Sequence, residues 1–342
     1  MGSDTGMPLG SANMADVARE AGVSIATVSR ALRGVPGVSQ ATRDRIVRIA
    51  HELSYVISPE ASALSKGSTG RVAIVMPHLD AWFYSAMLAS MAPVLRAADL
   101  DMLVYQVEGQ EQRAAFLRGL PARRKADAVI ITALPMAQAE VERLDLMGVH
   151  VVVAGGSIRD HPHVQVDDLE AGRLAVSHLV DLGHRRIGMI RTSDTDGTTW
   201  SSDLLRVRAW RETLAGAGLD ACEELLVTES YGVGAGGRAM GRLLALPDPP
   251  TAVFAYSDEL AFAAMAHARS SGLRVPEDVS VVGMDGHPLG EQVGVTTVDQ
   301  DVAGQGRLAA EMAVRLLAGE QVRDLDVPVR LVQRGSSGPA TA

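Results

Sequence analysis

One cysteine, Cys222, serves the whole chain, so no intrachain disulfide and no thiolate zinc cage can be assembled from it. Lysine is nearly as scarce, at Lys66 and Lys125 alone, and arginine takes its place almost everywhere. An arginine-rich segment therefore carries little meaning by itself. No run of about 18 uninterrupted apolar residues exists, which argues against a spanning helix, and residues 1–14 lack the basic-then-apolar order of an export signal. The expectation is a cytoplasmic protein with no membrane partner. Also missing are a Gly-x-Ser-x-Gly elbow, a phosphate loop ending in Lys-Ser/Thr and a His-Glu-x-x-His pair, so catalysis has no motif to stand on. The glycine-rich stretch 232–237 is followed by no Lys-Ser/Thr and is weak evidence for a nucleotide loop. No metal site and no cofactor are expected.

What is present is a chain of 342 residues, 47% apolar, long enough for two or three folding units. Net charge is −9, which speaks against a surface coated for nucleic acid. The charge is unevenly spread. Residues 1–70 hold seven basic groups against six acidic ones, leaving the remainder at −10. That distribution suits a small DNA-binding head on an acidic body.

In the head, Met14, Val17, Ala18 and Ala21 repeat at helical spacing behind Asn13, a natural N-cap. Gly22 can take the left-handed conformation that ends this helix, and Ser24 can cap a second helix over residues 25–32. After the breakers Gly34, Pro36 and Gly37, Ser39 caps a third, striped by Ile46, Ile49, Ala50 and Leu53. Val17, Val28, Leu32, Ile46 and Leu53 can close a three-helix core. Thr27, Ser29, Arg30 and Arg33 are left on a polar face with the composition of a major-groove reader. A bundle that touches only protein has the same spacing, and pattern alone leaves both readings open.

Residues 56–70 read as a short helix with a Ser58-Pro59 start and a glycine-rich end, or as an ordinary linker. From Arg71 onward, β-like runs at 72–76, 102–105, 128–131, 149–153, 187–190, 252–255 and 279–282 alternate with amphipathic stretches at 85–98, 169–182, 204–217, 258–271 and 300–317. Such alternation predicts an α/β body of doubly wound parallel sheets, with ligands at the carboxyl ends of the strands.

The head segment Asp16-Val17-Ala18-Arg19-Glu20-Ala21-Gly22-Val23-Ser24 with Thr27-Val28-Ser29-Arg30-Ala31-Leu32 resembles the lactose-repressor and galactose-repressor (LacI/GalR) family. So do the body segments Leu182-Gly183-His184-Arg185-Arg186-Ile187-Gly188 and Val279-Ser280-Val281-Val282-Gly283-Met284-Asp285, and the resemblance spans about residues 13–335. It implies a helix-turn-helix domain at 13–57, a hinge at 58–70 and a two-lobed periplasmic-binding-protein-like body at 71–335. Lobe one would take about 71–165 and 299–330, and lobe two about 166–298.

The resemblance further implies a transcription regulator, acting as a repressor and homodimer, that binds a near-palindromic double-stranded operator under control of a small-molecule effector, most simply a carbohydrate. Its DNA contacts would fall on Ile25, Ala26, Thr27, Ser29 and Arg30 and, in the hinge, on Ala61 and Leu64, with Leu64 as a minor-groove wedge. Its effector contacts would fall on Phe83, Tyr84, Arg206, Ser257, Asp285 and Gln300. Ser257 stands where the family commonly has Asn, and Gly155 where it often has an acid, so two polar arms are missing. His78, His161, His163 and His287 are read as loop residues and not as ligands. An enzyme on the same fold, and a transport-type solute-binding protein, are the competing functions.

Overall fold

The computed structural model describes residues 12–55, 68–119, 125–145, 148–194, 196–197, 199–232 and 234–341. The hinge residues Ala61 and Leu64 lie outside these. The chain divides after Thr69 into two compact units.

The first unit is three helices, α1 (Met14–Ala21), α2 (Ile25–Leu32) and α3 (Gln40–Glu52). Each begins at the side-chain cap its sequence offers. Asn13 accepts from the backbone of Ala15 and Asp16 while the Asp16 carboxylate accepts from Asn13 N–H, a reciprocal box, and Ser24 and Ser39 cap α2 and α3. Gly22, at φ 63°, ends α1 in the left-handed conformation and makes the turn into α2. Val17, Val28 and Ile46 are fully buried where the three helices meet, and Leu32 and Leu53 pack against them.

The second unit contains two six-stranded sheets. Sheet one holds β1 (Arg71–Met76), β2 (Asp101–Gln106), β3 (Ala128–Thr132), β4 (His150–Ala154) and β5 (His163–Val166), joined by β11 (Leu325–Val327) in the order β11-β5-β4-β3-β1-β2. Sheet two holds β6 (Ile187–Ser193), β7 (Leu226–Ser230), β8 (Ala252–Ala255), β9 (Ser280–Asp285), β10 (Thr296–Asp299) and β12 (Arg330–Val332) in the order β12-β10-β9-β8-β6-β7. All pairings are parallel except β10 with β12.

Strand β1 shows why such strands read as unbroken apolar runs. Val72, Ile74 and Met76 face one cluster with Met87, Met91 and Leu95, while Ala73 and Val75 face another with Phe116, Val129 and Leu144. Both faces are covered by helices, so both must be apolar. The helices of lobe one are α4 (Trp82–Ala97), α5 (Gly109–Gly119), α6 (Gln138–Asp145) and α12 (Val302–Leu317). Those of lobe two are α7 (Asp168–Asp181), α8 (Ser201–Gly216), α9 (Ala235–Leu244), α10 (Asp258–Ser270) and the short α11 (Leu289–Val293). Trp210 anchors α8: it is fully buried and its Nε1–H donates to Ile187 O at 3.0 Å.

The chain passes between the lobes three times, from β5 to α7, from β10 to α12, and from β11 to β12. Its final segment is not a loose tail. Ser336 and Ser337 are buried, Val281 N–H donates to Ser336 O at 2.7 Å, and His184 and Ser280 both reach Gly338 O. Residues 330–340 are thus stitched into lobe two.

Within 232–237, Gly236 and Gly237 serve packing between helices, while Gly232 and Gly234 take positive φ in the turn before α9. A Cβ on Gly236 would lie 2.1 Å from Leu260 O, so only glycine lets α9 approach α10 this closely.

Candidate effector cleft and DNA-reading face

On the head, Ile25, Ala26 and Arg30 are exposed, and Thr27 and Ser29 half-buried, along the start and one side of α2. Ile25 stands 51% exposed, an apolar side chain at a helix N-terminus with no core to join. The Thr27 hydroxyl lies 2.9 Å from that of Ser24, which ties this face to the cap.

In the body, the six expected effector positions, Phe83, Tyr84, Arg206, Ser257, Asp285 and Gln300, line one cavity of about 510 Å³. That is within the usual ~300–1,000 Å³ of small-molecule sites. Sequence distance hides this convergence, because the residues follow strands of both sheets or stand on the helices behind them. Six of the chain's twelve aromatic residues also line it: Phe83, Tyr84, Trp200, Tyr231, Tyr256 and Phe262.

Arg206 is 4% exposed. Its Nε and Nη2 meet Asp168 Oδ1 at 2.8 and 2.7 Å, its Nη1 donates to Tyr256 O at 2.8 Å, and its guanidinium lies 4.4 Å from the centre of the Tyr256 ring. Burial alone would discharge it, but Asp168, with Tyr256 and Asp285 behind, outweighs burial and keeps it charged.

Asp285, at φ 128°, is a non-glycine residue held in a rarely populated conformation. Its carboxyl accepts from Gln300 Nε2 at 2.6 Å. Burial first, and then neighbouring Asp258, push its pKa well above the usual carboxylate range, against the pull of Arg206 and Gln300. Asp258 is pushed up to about 7 by burial, opposed by hydrogen bonds from Thr297 and the backbone of His287 and Gly286.

The two missing polar arms have structural counterparts. Ser257 caps α10 by accepting from Leu260 N–H. Gly155, at φ 72°, has no room for a side chain, since a Cβ would meet Phe83 Cζ at 3.0 Å and Met87 Cε at 3.1 Å. Phe83 fills that space.

Two histidines read as loop residues are indeed in loops, but they are buried at the cleft. His78 stacks on Tyr231 at 3.8 Å between centroids and lines the cavity; His287 packs between Trp82 and Phe262. Burial lowers the pKa of His78 despite Asp194, Glu108 and Asp80, and the ring is neutral at neutral pH. Its Nε2 and the Thr192 hydroxyl are buried with no hydrogen-bond partner among the described residues. A lone histidine with no motif around it gives no signal in sequence, and neither was expected here.

Polar contacts cross the cleft. Tyr231 OH donates to Asp80, Trp82 N–H to Glu259 and Trp200 Nε1–H to Ala133 O. On the far edge Arg113 of α5, 2% exposed, reaches Asp194 at 2.9 Å and Asp196 at 3.2 Å in the loop after β6, and Asp194, fully buried, also accepts from Gly109 N–H. The lobes are closed on one another.

A helical DNA-reading head on a body of two doubly wound lobes that enclose a cavity defines a one-component regulator. Residues 13–58 match the model of bacterial regulatory proteins of the lacI family, and residues 176–337 match that of the periplasmic binding protein-like domain. The chain is 32% identical to the HTH-type transcriptional regulator CelR of Thermobifida fusca, over 92% of its own length and 94% of that protein. It is 29% identical to the HTH-type transcriptional repressor CytR of Escherichia coli, with 91% of each chain covered. Among solved structures, the lac repressor dimer bound to operator and the anti-inducer ONPF matches with TM-score 0.81 and 25% identity, over 96% of this chain and 100% of that one. A CelR–cellobiose complex matches with TM-score 0.68 and 30% identity, over 95% and 99%. The chain belongs to the lacI family and is a DNA-binding transcription regulator.

Proposed function

We propose that this regulator is a cytoplasmic repressor that binds a near-palindromic operator as a homodimer, and that a sugar or sugar-like metabolite in the interlobe cavity sets its operator affinity. The observation that carries the reading is the convergence of Phe83, Tyr84, Arg206, Ser257, Asp285 and Gln300 on one enclosed cavity. The solved relatives bound to cellobiose and to operator DNA support it. One head has a single reading helix, which covers about half a site, so two heads must be paired. Ile25 and Ala26 offer apolar contact to a thymine methyl, and Thr27, Ser29 and Arg30 offer polar contact to bases and phosphates. We assign the cavity a binding role with no catalytic step.

The ligand acts by favouring the closed arrangement of lobes over the open one, and it can bias the dimer only by as much as it binds one state better than the other. Arg206→Ala should abolish the ligand response in a mobility-shift assay while leaving operator binding within about threefold, a shift of ~0.6 kcal/mol. A variant that still binds effector like the parent by calorimetry would remove the cavity from the mechanism.

A further inference from the structure

Among the described residues Arg206 is the only lysine or arginine that lines the cavity, and its charge is already matched by Asp168. Against this spent cation stand Asp80 from lobe one and Glu259 from lobe two. These two acids feel each other: burial raises the pKa of Glu259, Asp80 raises it further, and both raise that of the Tyr231 hydroxyl. The remaining lining consists of polar groups and aromatic rings. Asp285 is a buried carboxyl held by the Gln300 amide, and His78 Nε2 and the Thr192 hydroxyl are buried with no hydrogen-bond partner among the described residues. Buried orphans of this kind are costly unless a ligand or water completes them.

We infer that the cavity selects an uncharged, hydroxyl-bearing ligand and rejects its phosphorylated or carboxylated counterparts. The inference rests on the reading of this cavity as the effector site and narrows it. An anion entering would leave its hydration shell, meet no free cation, and approach two carboxylates in a partly water-excluded space where charge interactions are strong. A neutral polyol meets none of these costs. Its hydroxyls can exchange hydrogen bonds with His78 Nε2, the Thr192 hydroxyl, Asp285 and Gln300. Its apolar faces lie against the aromatic rings.

Two measurements at low ionic strength test this. The first reads the charge around Glu259, at the edge of the cavity and on the backbone N–H of Trp82, without any effector. In a Trp200→Phe/Trp210→Phe variant the remaining tryptophan is Trp82, half-buried, with its N–H on Glu259. Caesium should quench its fluorescence at least about threefold more strongly than iodide, and Asp80→Asn with Glu259→Gln should abolish the difference. The second compares matched probes by calorimetry on the full chain: cellobiose with cellobionic acid, glucose with glucose 6-phosphate, and ribose with ribose 5-phosphate. In any pair that binds, the neutral member should be favoured at least about tenfold, or ~1.4 kcal/mol, and the doubly neutralised variant should narrow that gap. Iodide quenching as strong as caesium's, or a charged probe binding as tightly as its parent, overturns the inference. Probe binding that Arg206→Ala leaves untouched would instead count against the cavity as the effector site, whatever its charge.

Discussion

Two neighbours, His287 and Gly283, frame the Asp258 carboxyl. Its Oδ2 accepts from His287 N–H at 2.7 Å, its Oδ1 is buried without a partner among the described residues, and a Cβ on Gly283 would lie 2.2 Å from that oxygen. Glycine at 283 is what makes space for the carboxyl against β9. With its pKa raised from 3.8 to about 7, the folded protein binds more protons than the unfolded chain between those values. Stability from this group is therefore present at low pH and is lost as pH rises from about 4 towards 7. Asp258→Asn removes the titration but keeps an acceptor for His287 N–H. Denaturant titrations should show the variant gaining on the parent across that window, with a smaller difference at pH 4 than at pH 7. An unchanged difference at the two pH values would mean that Asp258 is not the group that titrates.

At the scale of elements, what the sequence disclosed depended on burial on both faces. β1, β3, β6, β8 and β9 are largely apolar runs because helices cover both sides, and they are legible without a structure. β5, β7, β11 and β12 are short or mixed, with residues such as Gln165, Glu229 and Asp326 turned partly or fully outward, and no periodicity separates them from loops. The caps Asn13, Ser24 and Ser39 were readable because a cap is a local bargain between one side chain and the next turn. His78 and Trp200 were not, since their place in the cavity depends on which strands become neighbours. The glycines of α9 fall between these cases: their density was visible, and their purpose was not. Gly236→Ala would drive a Cβ into the Leu260 carbonyl, a backbone atom that cannot turn aside, and should cost ~1–3 kcal/mol through overpacking. Gly241→Ala meets only the ring of His267, at 2.9 Å, which can swing away, and helix propensity then favours alanine by up to ~1 kcal/mol. Thermal unfolding should separate the two variants by several degrees, with Gly236→Ala the less stable.

For the molecule as a whole, the Arg113–Asp194 contact joins the lobes at the edge far from the crossing segments. Asp194 has no solvent exposure, so removing the Arg113 cation while the lobes stay closed breaks a buried ion pair, at a cost of ~3–5 kcal/mol. Arg113→Met should shift the population towards open lobes, seen as a larger radius of gyration in solution scattering and a weaker effector affinity. Adding Asp194→Asn should recover part of the closure, because the most buried of the acids that Arg113 meets is then neutral while Glu140 and Asp196 keep their charges. Failure of the double variant to recover, beside an intact fold by circular dichroism, would show that the contact does more than balance charge.

The three passages between lobes leave from β5, β10 and β11, all towards one side of the sheets, while β2 and β7 form the opposite edges. Asp168 and Gln300 sit on two of those passages and also line the cavity. A ligand bound as proposed would touch the axle, where rotation moves atoms least, and would keep those contacts as the jaws turn. Tyr231, Asp80 and the loop carrying Asp194 ride at the rim, where a small turn becomes a large displacement. On the proposed reading, anchoring and closure fall to different residues: groups at the axle would set how tightly an effector is held, and groups at the rim how far the lobes turn around it.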